Sequence, residues 1–343
     1  MPQRHNKDDY YILDDYRAEG YGCRHNKQGG SAVSESKPEV IVRDTKAMDF
    51  EEVRRGRVHM IRRKRLPLET GVEGVTMEYS LSVVPDGYFT PRHRHNFDQI
   101  RYTLSGLQST GLGDLAGGEC GYFPEGSHYG PQQQKGECEC LVLQFQGASG
   151  EHLLSNEEMN ATYEKLLKSG GKFENGVYKG FKPDGSPKNK DSYEAIWEEH
   201  EGRDLVFPEP RYRQPVMMLA KNYQFWPDRR RPGVEVKHLG TFSEARTGIS
   251  FLRLLPGAEL KAGPQEDAEL RYLLEGSCSY DGKTWNAGTY MFLPNGAAVK
   301  DLRSEQGATF FVITLPMLAD LAAAKHNAGA EHPLLKRAEH AAA

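Results

Sequence analysis

The sequence predicts an all-β chain made by tandem duplication, with two β-rich repeats joined by a short helical connector. Three observations carry this expectation. Segments of strand-like alternation are punctuated by glycine, the two halves align at a constant offset of 170 residues, and the stretch between them turns helical in character. At that offset Gly87 falls on Gly257, Gly106 on Gly276, Gly118 on Gly288, Pro124 on Pro294 and Gly126 on Gly296, and Arg101-Tyr102 falls on Arg271-Tyr272. So many landmarks in register without a gap mark an internal repeat.

Residues 1–45 are polar, with little apolar period, and read as an arm on the outside of the fold. Residues 46–148 form the first repeat. Within it Val53–Pro67 and Val75–Val84 have strand patterning, and Met77, Tyr79 and Leu81 alternate with Glu78, Ser80 and Ser82. Cys138–Gln146 reads as its closing strand. Residues 149–204 are the connector. Ser155 and Glu158 form a capping-box pattern, Tyr163, Leu166 and Leu167 continue at helical spacing, and Gly170-Gly171 ends the helix. A polar loop is expected from Gly171 to Lys190, then a second short helix from Tyr193 to His200. Residues 205–316 form the second repeat, and 317–343 a C-terminal helix and tail.

The 343 residues suffice for two ordinary cores, and a net charge of −4 gives no reason to expect nucleic acid. The basic run Arg62-Arg63-Lys64-Arg65 reads as a solvated strand face. Without an apolar run of ~20 residues or a signal-peptide core, the expectation is a cytoplasmic protein with no membrane partner. The five cysteines, Cys23, Cys120, Cys138, Cys140 and Cys278, read as buried thiols rather than a disulfide framework.

The chemistry concentrates between Gly87 and Gly106. His93 and His95 are two apart, so on an extended segment both imidazoles leave one face and can reach one metal ion. Their setting resembles the first signature of the cupin superfamily, Gly-x5-His-x-His-x3-Glu-x6-Gly, with Gln99 in place of the glutamate. Gly118, Pro124 and Gly126 resemble the opening of the second signature, which continues with a histidine. Here His128 comes one residue early and Tyr129 stands at the expected position. The resemblance implies two jelly-roll barrels, a bicupin, with His93, His95 and His128 on a divalent transition metal. The second copy, with Gly263, Gln265 and Ala298 at the corresponding positions, is expected to be metal-free.

His93-Arg94-His95 followed by Arg101-Tyr102 is also similar to the gentisate 1,2-dioxygenase group. That group's first barrel holds Fe(II) on three histidines without the glutamate. The resemblance implies Fe(II), with Mn(II), Ni(II) or Zn(II) as the other suitable ions, and O2-dependent carbon–carbon cleavage of a small chelating substrate, aromatic or carboxylate-bearing. Gln99 and Tyr129 are then candidates to bond a bound oxygen or the substrate, and Gln144 and Gln146 to line the cavity. Arg101 could clamp a carboxylate, or could be a structural ion-pair partner as its counterpart Arg271 suggests. Two other readings stay open: a redox-neutral decarboxylase, isomerase or lyase with Tyr129, Glu119 or Glu125 as base, and a non-catalytic ligand-binding bicupin. The arm and C-terminal helix are compatible with a homodimer.

Overall fold

The structure is a computed structural model, which describes residues 38–53, 59–69, 75–147, 149–182, 184–243 and 246–315. Residues 1–37 of the arm and the expected C-terminal helix lie outside them.

The chain enters with β1 (Ile41–Asp44) and then builds the first barrel from β2 (Glu51–Val53), β3 (Ile61–Leu66), β4 (Met77–Val84), β5 (Phe89–Thr90), β6 (Phe97–Ser105), β7 (Leu107–Ser109), β8 (Asp114–Ala116), β9 (Cys120–Phe123), β10 (Gln132–Gln133) and β11 (Cys138–Gln146). The connector holds α1 (Asn156–Lys168), β12 (Lys172–Glu174), β13 (Val177–Phe181), β14 (Pro187–Asp191) and α2 (Ser192–Glu201). There follow β15 (Val216–Met218), β16 (Trp226–Pro227), β17 (Val234–Phe242), β18 (Thr247–Leu254), β19 (Glu259–Leu260), β20 (Gly263–Pro264), β21 (Ala268–Tyr280), β22 (Lys283–Asn286), β23 (Thr289–Leu293), β24 (Ala298–Val299), β25 (Leu302–Arg303) and β26 (Ala308–Leu315). Among the described residues no helix is long and apolar enough to cross a membrane.

The duplication is visible in the pairing. One large sheet runs β15-β9-β6-β11-β4-β3-β2 and the other β1-β23-β21-β26-β18-β17-β16, and every pairing within them is antiparallel. Registers match at the repeat offset: Cys140 faces Ser82 in the first barrel, and Phe310 faces Leu252 in the second. The repeated glycines have a backbone reason. Gly87, Gly106, Gly118 and Gly126 have φ of 75°, 78°, 89° and 74°, and Gly257, Gly276, Gly288 and Gly296 have 79°, 78°, 96° and 78°. Side chains with a Cβ are strained there, so these positions keep their identity in both copies.

The edge strands of these sheets are exchanged. β15 immediately precedes the second barrel yet pairs with β9 of the first, and β1 precedes the first barrel yet pairs with β23 of the second. The arm assignment for 1–45 therefore needs correction at its end, since Ile41–Asp44 is part of a sheet. Pairing between distant segments leaves no local trace in sequence.

The alternating strand β4 is buried on both faces over most of its length. Tyr79, Leu81, Tyr102, Leu141 and Leu143 point toward the other barrel and share a core with Ile249, Phe251, Tyr272, Phe311 and Ile313. Tyr102 stacks on Phe311 with ring centroids 4.3 Å apart. Each such side chain contributes roughly 1.5–3 kcal/mol relative to exposure. Ser80 and Ser82 instead face the interior of the first barrel. The basic run is likewise not simply a solvated face: Arg63 and Lys64 are buried, Arg63 between Glu51 and Glu78, while Lys64 Nζ donates to the Thr45 carbonyl at 2.7 Å.

In the connector the capping box of Ser155 and Glu158 forms as its spacing predicts. The expected loop from Gly171 to Lys190 is instead a three-stranded sheet, β12-β13-β14. Phe97 of β6 joins Leu153, Tyr193, Ile196, Trp197 and Phe207 in one core, which seats the connector against the first barrel near His95.

Candidate metal centre and cavity

The interiors of the two barrels differ in kind. Ser82, Gln132 and Cys140 line a cavity of about 130 Å³ in the first. At the same register the second has Leu252, Leu302 and Phe310, packed into an apolar core with Leu273, Met291 and Leu293. Erosion of the polar interior goes with loss of the histidines.

His93, His95, Gln99, Arg101, Tyr129 and Gln144 all face this cavity. His93 is buried, and its Nδ1 lies 2.8 Å from the Pro91 carbonyl. A carbonyl only accepts, so in the neutral ring the proton sits on Nδ1 and Nε2 keeps its lone pair. That Nε2 is 3.0 Å from the Tyr129 hydroxyl oxygen, and His95 Nε2 is 3.2 Å from the same oxygen. His95 stacks on Phe97 at a centroid distance of 4.4 Å, which sets its ring plane.

His128 requires a correction. It is exposed and does not line the cavity. Tyr129 forms an antiparallel bridge with His93, exchanging both backbone hydrogen bonds at 3.0 Å, so its side chain leaves on the same face as that of His93. On extended backbone the preceding residue must then point the other way, and His128 does. Partial burial and the charges of Arg94 and Arg92 hold its imidazole below the usual range.

The cupin resemblance implies a metal here, and the donors present fit one. An imidazole oriented by a backbone carbonyl through its other nitrogen is the usual arrangement for a ligating histidine. Donor separations of 3.0 and 3.2 Å around the Tyr129 oxygen suit a shared ion at the roughly 2.0–2.2 Å bond lengths of a first-row metal. His93, His95 and Tyr129 could hold it.

Arg101 is the other notable group. Its Nε donates to Gln99 Oε1 at 2.6 Å and its Nη2 to the Tyr129 oxygen at 2.7 Å, with the guanidinium 4.4 Å from the Phe123 ring centre. Neither of these partners is a carboxylate, although the residue is only 8% exposed. Arg271 in the second barrel instead pairs with Glu269 at 2.6 Å. The structural ion pair that the repeat suggests exists in the second copy, whereas exchange of glutamate for Gln99 leaves the first with a buried positive charge.

Gln146 is buried but does not line the cavity, while Gln144 does. Neither Glu119 nor Glu125 is in the cavity wall: Glu119 accepts from the Ala116 amide at 2.9 Å, and Glu125 is bonded by Ser149. Among the described residues the wall carboxylate is Glu78, held by Arg63 and by Asn156 at 2.7 Å. Residues missed in the sequence include Gln108, Gln132 and Gln134. Gln108 has a buried Oε1 without a hydrogen-bond partner among the described residues. The contrast with Cys278, Leu302 and Ser304 at the repeat offset is the signal that could have revealed them.

Two cupin-type jelly-roll barrels in one chain, one hollow and polar and one filled, define a bicupin. Residues 214–318, essentially the second barrel with β15, match the family model of the ChrR cupin-like domain. Among solved structures, a candidate dioxygenase from Nostoc punctiforme PCC 73102 is 15% identical, with a TM-score of 0.58 over 82% of this chain and 84% of that one. An oxalate decarboxylase from Lactobacillus farciminis is 11% identical, with a TM-score of 0.46 over 85% and 88%. The first similarity supports the fold alone, and the second is too weak to carry an argument. A comparison with curated proteins found no match.

Proposed function

We propose that the first barrel is a metal-dependent oxygenase site for a small, chelating, anionic substrate, with His93, His95 and Tyr129 as the metal ligands. The observation that carries this reading is Arg101, a buried cation that has no carboxylate among its hydrogen-bond partners in the described residues and adjoins the proposed ligands. A substrate carboxylate is the partner this charge calls for. When bound, a redox-active ion such as Fe(II) supplies electron transfer between substrate and O2.

The side chains have separate tasks. Arg101 neutralises and orients the carboxylate, Gln99 holds Arg101, and Tyr129 links the guanidinium to the two imidazoles. Gln108 offers an acceptor to a substrate hydroxyl. Among the described residues, two of the three candidate bases of the redox-neutral alternatives, Glu119 and Glu125, are outside the cavity, Glu78 is engaged by Arg63, and Tyr129 is taken up as a ligand, which supports oxygen chemistry. A reaction that extracts electrons from its substrate asks less of a general base than one that moves a proton.

The test is O2 uptake by Fe(II)-reconstituted protein across hydroxylated aromatic acids and diketones, with His93→Ala as the control. Uptake matched to substrate loss and abolished in His93→Ala is expected. Substrate loss without O2 uptake would transfer the site to the decarboxylase or lyase reading, and ligand binding without turnover to the non-catalytic one.

A further inference from the structure

A second cluster of metal-ligand side chains lies in the connector, away from the cavity. His152 stands just before α1, Glu158 is in its first turn, and His200 and Glu201 end α2. His152, His200 and Glu201 each offer a ligand atom, and these lie within 4.8 Å of one another. His152 Nδ1 is 3.1 Å from Glu201 Oε1, and His200 Nε2 is 3.9 Å from that same oxygen. We propose that this triad binds a divalent transition ion, zinc above all, as a clamp that fastens the connector helices to each other and to the first barrel.

The surroundings orient each donor. Glu158 Oε2 lies 3.5 Å from His152 Nε2, so the carboxylate can hold that nitrogen while Nδ1 ligates, as carboxylates do behind ligating histidines. The same oxygen accepts from the Ser155 amide at 2.7 Å, which fixes the carboxylate through the capping box. Thr162 Oγ1 sits 3.4 Å from His200 Nδ1, which aims His200 Nε2 at Glu158 Oε1 and Glu201 Oε1, 3.7 and 3.9 Å away, where an ion would sit between them. Two imidazoles and a carboxylate suit zinc, and small side-chain rotations bring the donors to the ~3.3 Å spacing of a tetrahedral site with bonds of about 2.0–2.1 Å. The side chains of His152, Glu201 and His200 are 24%, 23% and 29% exposed, so the ion can enter from solvent. Arg203, the nearby cation, is engaged by Glu151 at 2.6 Å.

The clamp reaches the cavity through one backbone atom. The carbonyl of His152 accepts from Trp197 Nε1 at 2.8 Å and from Asn96 Nδ2 at 3.0 Å, and Tyr193 Oη donates to Asn96 Oδ1 at 2.7 Å. Asn96 directly follows His95. An ion held by the connector therefore steadies the segment that presents a proposed ligand of the first barrel.

The experiment is calorimetric titration of zinc into the metal-stripped full chain carrying His93→Ala and His95→Ala, so that the barrel contributes no signal whichever reading of it holds. About one zinc per chain is expected, with an affinity reduced by more than ~100-fold on adding His200→Ala and by about 10- to 100-fold on adding Glu158→Gln. His200 is exposed, and circular dichroism checks that its variant folds. Cobalt titration supplies the second readout, a tetrahedral visible absorption that His200→Ala removes. Absence of zinc binding in the histidine-barrel variant, or binding unchanged by His200→Ala with no cobalt band, overturns the proposal.

Discussion

At the scale of single residues, one side chain's direction decides which chemistry the cavity offers. Tyr129 takes the place that the usual spacing reserves for histidine, and it connects His93, His95 and Arg101 through one oxygen. Replacing Arg101 with Gln removes the buried cation; a roughly 10- to 100-fold rise in KM for a carboxylate substrate is expected from steady-state kinetics, with a smaller change in kcat. Behind β6, burial and then the charge of Asp98 push Glu125 up to about 8 from the usual 4.5, against hydrogen bonds from Ser149 and the charge of Arg211. The folded chain therefore binds this proton more tightly than the unfolded chain, and the contribution to stability falls as pH rises from about 4.5 to about 8. Glu125→Gln should flatten denaturation midpoints over that interval, and an unchanged slope would deny Glu125 this role. Much of this residue-level picture could be read in advance. The positions of His93, His95 and Arg101 follow from a two-residue period, but the side on which His128 or Tyr129 emerges depends on the bridge to His93, a pairing across 36 residues.

Between elements, what matters is what fills the space behind each strand. β11 and β26 occupy equivalent places, yet Cys140 leaves room where Phe310 fills it. Cys140→Phe copies the second barrel's solution into the first. The expected outcome is a folded protein, destabilised by about 1–3 kcal/mol in urea titration, whose cavity no longer admits substrate. Retained turnover would place the reaction elsewhere. The helices of the connector were legible through Ser155, Glu158 and Gly170-Gly171, because capping is local chemistry. Strands β12 to β14 were not, since the sequence Gly171–Lys190 is polar and its pairing is all that makes it a sheet.

For the molecule as a whole, the barrels have a joint core rather than a hinge. Tyr102 stacks on Phe311, Tyr122 stacks on Phe242 at 4.5 Å, and Tyr290 Oη donates to the Pro67 carbonyl at 2.8 Å. Scanning calorimetry should accordingly give a single cooperative transition for both barrels, and two resolved transitions would show that the contact is weaker than its aromatic content implies. The duplication itself was plain from the glycines, whose left-handed backbone strains residues that carry a Cβ. The exchange of edge strands was invisible, because β1 and β15 are short and ordinary, and only their partners reveal where they belong.

That exchange bears on why a barrel without the histidine pair persists. A gene shortened to its first repeat would encode a chain with β9 unpaired along one side, and with Tyr79, Tyr102 and Leu143 turned to water. Selection can thus release the interior of the second repeat from polar ligand-facing residues, provided it stays packed, while holding its outer face and the loaned strand β15 constant. The two copies should therefore differ most at paired interior positions, as Ser82 and Leu252 or Cys140 and Phe310 do, and least on the faces through which the barrels meet.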